Sequence, residues 1–272
     1  MGARGRRLAV LASLLLATGG CGALASPAPV PRGPAAERHG EAAVATCERV
    51  EDVRSRLLVA GDLAALRATD DARGHLAAAR ASYGPLSPRV RARDRALDRE
   101  ILRAFVLVGA RLTNRTTLER VREPLDALSG QLMDGVLAAV TSSAARSDPG
   151  LAAEVVRRTT AAGSRRYAAG APPAGRDRRR AFQHAYGLLA RAQLLARGLA
   201  EPLGPEKDAV TMTFATLRFE AYPMGLGPRP PTGAPAGMPP EPTPLPPSPA
   251  RVGTYAKRVG DALERRFALR KG

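Results

Sequence analysis

Glu48, Glu51 and Asp52 stand at i, i+3 and i+4, and Asp71 and His75 at i, i+4, so each group shares a face if both stretches are helical. Carboxylates combined with an imidazole are a donor set for a hard or borderline metal such as iron. If two such helices pack antiparallel, the five residues converge, and Glu48, Glu51, Asp52, Asp71 and His75 form the candidate metal site. A solvated charged face is the competing use of the same residues. The second constellation is basic. From Arg157 to Arg180 there are eight arginines against one acid, Asp177. Of these, Arg165, Arg166, Arg176, Arg178, Arg179 and Arg180 are the candidate anion-binding residues, because a guanidinium fork matches phosphate or carboxylate oxygens. Arg178 to Arg180 fall near the expected start of a helix, where the macrodipole disfavours cations by roughly 0.3 to 1 kcal/mol, so helix stability does not explain them.

No comparable case exists for catalysis. The chain has no G-x-S-x-G elbow, no phosphate-binding glycine loop, no C-x-x-C and no H-E-x-x-H, and His39, His75 and His184 are scattered. Neither catalytic residues nor a cofactor are expected. The only cysteines are Cys21 and Cys47, and Cys47 lies at helical spacing from Val44, Val50 and Val53, which predicts a buried thiol.

The first residues read as an export signal. Arg4, Arg6 and Arg7 precede an apolar run from Leu8 to Ala17, ended by Thr18-Gly19-Gly20. This run of ten residues, Ser13 among them, is half of the roughly 20 that a membrane-spanning helix needs. The stretch Leu16-Ala17-Thr18-Gly19-Gly20-Cys21 resembles the lipobox of bacterial lipoproteins, with Thr18 where that family has Leu, Val or Ile. The resemblance implies that Cys21 is acylated and becomes the mature N-terminus. Ala23-Leu24-Ala25 before Ser26 offers an ordinary signal-peptidase site instead. Residues 1–20 are therefore the expected signal and 21–40, rich in Pro, Ala and Gly, a flexible tether.

Positioning these residues falls to helices. The 272 residues are 44% hydrophobic but only 4% aromatic, with Ala and Leu dominant and no Trp, a composition that favours helix over strand. The formal charge is +17, carried almost wholly by Arg, since Lys occurs only at positions 207, 257 and 271. Such a field draws a protein to anionic surfaces, although a GC-rich genome produces the same Arg bias without selection for binding. An exported chain with few aromatics for base stacking is not expected to bind nucleic acid; the expected partner is an anionic envelope component, lipid headgroups or a cell-wall polyanion.

The predicted fold is an all-α bundle of about six helices over residues 41–222, followed by a Pro-rich linker over 223–250 and a C-terminal amphipathic helix over 251–272. A first helix is expected from Glu41 to Ala60, stopped by Gly61, and a second from Asp62 to about Tyr83. The third has Ser87 as its cap, Pro88 in the first turn and Leu97, Ile101, Phe105, Val108 and Leu112 on one face, with Asp98 on the other. Thr116 and Glu119 suggest a capping box for a fourth helix reaching Arg146, with Pro124 as its start or a kink. Asp148-Pro149 opens a fifth, and Phe182, Ala185, Leu189, Ala192 and Ala196 mark a sixth. In Lys207 to Tyr222, Val210, Phe214, Leu217 and Ala221 fit a helix while the threonines favour strand, and helix is chosen on context. Twelve prolines among residues 223–249 exclude regular structure there, and a spacer of that length could extend about 80 Å at about 3.1 Å per residue.

The run Glu154 to Tyr167 followed by Ala181-Phe182-Gln183-His184-Ala185-Tyr186-Gly187-Leu188-Leu189 resembles in rhythm the helical periplasmic modules of bacterial iron-uptake systems and the imelysin family. That resemblance implies a periplasmic metal-binding accessory, but the family's His-x-x-Glu motif is missing: the histidines are followed three residues on by Ala42, Ala78 and Gly187. The leading expectation is an exported envelope protein, a lipoprotein that binds a partner without catalysis.

Overall fold

The computed structural model describes residues 40–113, 118–222, 226 and 247–269; the expected signal, Cys21, the expected tether up to residue 39, Thr116 and most of the Pro-rich stretch lie outside them. The fold is all-α, with no strand among the described residues. No helix of that part is long and apolar enough to cross a membrane.

The first two elements form a hairpin, α1 (Glu41–Ala65) and α2 (Thr69–Tyr83). Helix α1 runs straight through Gly61, the expected stop. A mid-helix glycine costs about 1 kcal/mol, and burial of Leu63 alone, with Ala64 beside it, outweighs that at about 1.5 to 3 kcal/mol per large side chain. The chain instead turns at Arg67, which adopts φ 58°. Arg67 N–H donates to Ala64 O (3.0 Å) and Ala68 N–H to Leu63 O (2.9 Å), the paired bonds of a Schellman end with arginine in the position that glycine usually fills.

The expected third helix is two, α3 (Ser87–Arg93) and α4 (Arg95–Arg111), broken at Asp94. Asp94 Oδ1 caps α4 by accepting from the Ala96 and Leu97 amides at 3.0 and 2.9 Å. Asp98, expected on the wet face, is buried instead and accepts from Tyr83 Oη (2.9 Å), Ser87 Oγ (2.6 Å) and Arg91 Nε (2.8 Å). Ser87 therefore ties α3 to α4 rather than capping its own helix. The apolar face of Ile101, Phe105, Val108 and Leu112 is buried as its spacing predicts.

The fourth stretch is also segmented, into α5 (Leu118–Ala127), a π turn (Leu128–Leu132), α6 (Met133–Val140) and the single turn α7 (Ser143–Arg146). Pro124 sits inside α5 and has no N–H for the Arg120 carbonyl, which accepts from Arg111 Nη1 at 3.2 Å instead.

Helices α8 (Pro149–Gly170, capped by Asp148 Oδ1 on Gly150 N–H at 2.8 Å) and α9 (Gly175–Gly198) form the central hairpin. After α10 (Ala200–Leu203) and a 3-10 turn, Lys207–Ala221 is α11. Its threonines do not divert it to strand, because Val210, Phe214, Leu217 and Ala221 are all buried on one side and Thr213 Oγ1 donates back to Ala209 O at 2.7 Å.

The last helix, α12 (Pro249–Phe267), is part of the same body rather than a tethered unit. Val259, Leu263 and Phe267 join Val156, Ala196, Val210 and Phe214 in one core. The two ends of the Pro-rich stretch meet at Tyr167, whose hydroxyl donates to Pro247 O (3.1 Å) and whose ring lies 5.9 Å from that of Tyr222. Cys47 is buried, as its spacing predicts, and burial together with the Glu51 carboxylate pushes its thiol up to about 11.

Candidate functional site

Helix α1 carries Glu48, Glu51 and Asp52, but each carboxylate meets a different neighbour. Glu51 is buried and accepts from Arg54 Nη1 and Arg191 Nε, both at 2.8 Å. Arg54 in turn donates through Nε to Ser129 O (2.9 Å) and through Nη2 to Asp134. Glu48 turns toward α8, where Arg158 Nη1 lies 3.4 Å away and also binds Glu41. Burial raises the Glu48 carboxyl above its ordinary range despite Arg158.

Asp52 faces the end of α2 and the middle of α9. Its Oδ2 accepts from Ser82 Oγ (2.5 Å) and Arg56 Nε (3.0 Å), and its Oδ1 lies 2.8 Å from His184 Nε2 without a linear hydrogen bond. Burial by itself would raise the Asp52 carboxyl, but His184, Arg56 and Ser82 together hold it well below the usual range. Burial lowers the His184 imidazole, and Asp52 only partly opposes that. His184 is thus a neutral ring beside an ionised carboxylate. Ser82 gives its hydrogen to Asp52, so the imidazole does not serve it as a base, the contact that nucleophilic catalysis requires.

Asp71 and His75 lie on another line of contacts. Gln183 Nε2 donates to Asp71 Oδ2 (3.2 Å) and its Oε1 faces His75 Nε2 (3.0 Å), which leaves His75 Nδ1 buried without a partner. Burial lowers His75 to about 4, so it is uncharged at neutral pH. The five candidate metal residues are therefore divided among four settings, and no group of three or more metal-ligating side chains occurs among the described residues.

The basic stretch divides as well. Arg179 Nε approaches Asp71 Oδ2 at 3.4 Å, the Arg180 guanidinium lies against Gly74, and Arg176 and Arg178 are exposed on the first turn of α9. Arg165 and Arg166 line a cleft of about 690 Å³ between α1 and α8, floored by α9 and the end of α2. Arg49 joins them from α1, and the remaining polar lining is Glu48, Asp52, Ser82, Thr159 and His184. Arg49, Arg165 and Arg166 are exposed and make no ion pair among the described residues, whereas Arg157 and Arg158, two turns earlier on α8, are both bound to Glu154.

Sequence reasoning missed Arg49, Ser82, Thr159 and His184. A signal was present: Ala45-Arg49-Asp52 on α1 and Thr159-Ala162-Arg166-Ala169 on α8 repeat at helical spacing, mixing small and polar residues where a packed seam would carry large apolar ones. No family model, no curated protein and no solved structure matches the chain; the cleft is read from its own geometry.

Proposed function

We propose that the protein is an exported, lipid-anchored helical module that binds an anionic envelope ligand in the cleft between α1 and α8, without catalysis. The observation that carries this reading is the trio Arg49, Arg165 and Arg166, unpaired beside a cleft of about 690 Å³ in a chain whose other arginines on α8 are neutralised. An arginine without a carboxylate keeps its fork of donors for phosphate or carboxylate oxygens. The acidic stretch of α1 does not cancel it, because Glu51 is used up inside the bundle by Arg54 and Arg191.

Binding to vesicles that contain anionic lipid, or to purified wall polymer, should weaken as salt rises, since exposed charges are screened beyond about 8 Å at physiological ionic strength. The combined variant Arg49→Gln, Arg165→Gln, Arg166→Gln is expected to lose at least about tenfold in affinity at low salt. Arg176→Gln, Arg178→Gln, outside the cleft, is expected to lose much less. Equal losses from the two variants would mean that general basicity, and not the cleft, does the binding.

The anchor is tested separately. Intact-mass analysis of the membrane fraction is expected to find a chain that begins with acylated Cys21. A soluble chain beginning at Ser26 would remove the anchor from this reading and leave the cleft untouched.

A further inference from the structure

Resting on that reading, we infer that the cleft selects a polyol phosphate, a phosphate ester whose organic part carries hydroxyl groups and no cation. The lining is zoned. Arg165 and Arg166 on α8 and Arg49 on α1 supply donors for an anion, while Glu48 and Asp52, one turn apart on α1, supply carboxylate oxygens to the same space. A carboxylate oxygen can only accept, so whatever lies against Glu48 and Asp52 must donate. A bare phosphate ion would meet the arginines at the cost of standing close to two like charges. A phosphate that carries hydroxyl groups meets both zones, with the ester oxygens on the guanidinium groups and the hydroxyls on the carboxylates.

Charge separates a polyol from an amine. Arg56 binds Asp52 and Arg158 approaches Glu48, so the charges of Arg49, Arg165 and Arg166 are left in excess at the lining. At neutral pH a glycerol phosphate monoester carries about two negative charges, whereas the ammonium of phosphoethanolamine leaves it only about one, so the guanidinium trio holds the polyol ester more strongly. Size and shape narrow the choice further. At about 30 Å³ per water in the liquid, the cleft of about 690 Å³ has room for far more than an ion. No Phe, Tyr or Trp lines it, and the His184 imidazole is buried in its floor, so no large flat face is offered for stacking a ring. A short chain such as glycerol fits these walls, with the Thr159 and Ser82 hydroxyls beside it. Such a group reaches an envelope protein either as a soluble ester or as the headgroup of phosphatidylglycerol.

The test is calorimetric titration of the full chain at low salt with glycerol 3-phosphate, inorganic phosphate, phosphoethanolamine and glycerol, alongside flotation with phosphatidylcholine vesicles containing either phosphatidylglycerol or phosphatidylserine. Glycerol 3-phosphate is expected to bind about tenfold more tightly than inorganic phosphate or phosphoethanolamine, because a site built to bond hydroxyl groups discriminates against ligands that lack them. Glu48→Gln should narrow that preference to about twofold by weakening the acceptor and relieving its repulsion of bare phosphate. Thr159→Val, which keeps the side-chain shape, should weaken the glycerol ester and leave inorganic phosphate unchanged. If the soluble ester shows no preference but phosphatidylglycerol vesicles bind in preference to phosphatidylserine, the headgroup is the source and the inference stands. If inorganic phosphate binds as tightly as the ester, phosphatidylglycerol vesicles bind no better than phosphatidylserine, and Arg165→Gln, Arg166→Gln abolishes binding of all of them, polyol selection is wrong while the anion cleft survives. If that arginine variant changes nothing, both readings fall.

Discussion

Replacing Glu51 with alanine is expected to lower the free energy of unfolding by about 3 to 5 kcal/mol, the usual loss when one member of a buried ion network is removed. Glu51 is the shared acceptor of Arg54 and Arg191, and its side chain is only 4% exposed. Without it Arg191 has no carboxylate within ion-pair distance among the described residues, and Arg54 keeps only Asp134, which is itself largely exposed. The loss would be a large share of the roughly 5 to 15 kcal/mol that holds an ordinary domain together. Urea denaturation measures it through the midpoint. The penalty belongs to the stranded cations and not to the missing attraction, so removing all three charges together as Glu51→Met, Arg54→Met, Arg191→Leu should recover most of it. A single variant that unfolds at the wild-type midpoint would show that water reaches the network freely.

Gly187→Val is expected to cost about 1 to 3 kcal/mol or more, by forcing apart two helices that touch through their backbones. A Cβ at Gly187 would stand 2.4 Å from the Ser55 carbonyl oxygen and 2.8 Å from Val59 Cγ2. Neither helix has slack there, since Ser55 and Val59 are fully buried on α1 and Ala185 and Leu189 on α9. The same contact sets the depth at which His184 meets Asp52, so the variant should also weaken anion binding in the cleft. Gly198→Ala is the control: a Cβ there meets nothing within 4 Å, and stability should hold or rise slightly, because alanine restricts the unfolded chain more than glycine does. If both glycine variants melt alike by circular dichroism, close approach of α1 and α9 is not what the glycine provides.

Much of the fold was legible because helices are written locally. Ile101, Phe105, Val108 and Leu112 repeat at helical spacing, and all four are buried; Asp148-Pro149 reads as a helix start and is one. The breaks were misjudged where a distant residue decided them. Gly61 stays helical because Leu63 beyond it is buried, and the expected third helix breaks at Asp94 while Asp98 is drawn in by Tyr83 and Ser87. Neither event has a sign within the few residues around it.

The site was legible only in part, and the reason is angular. Successive residues of a helix are turned by about 100°, so Glu51 and Asp52 point about 100° apart even though both neighbour Glu48. In a bundle that angle separates one neighbouring helix from the next. Glu51 therefore meets Arg191 while Asp52 turns toward α2 and meets Ser82, reaching α9 only at His184, two turns before Arg191, and a set that looks like one face in sequence is divided among different partners. Likewise Arg165 to Arg180 reads as one basic stretch, yet the turn between α8 and α9 sends Arg179 and Arg180 to α2 and leaves Arg165 and Arg166 on the cleft.

Helical character, the basic charge and the apolar faces are properties of residue type and spacing along the chain, and the sequence by itself determined them. Which charges cancel and which stay free depends on the register between helices far apart in sequence. That register is set by how closely Gly163 and Gly187 let α8, α9 and α1 approach, so only the tertiary structure decided that Arg158 is neutralised by Glu154 and Glu41 while Arg165 and Arg166, two turns further on, stand open beside Arg49.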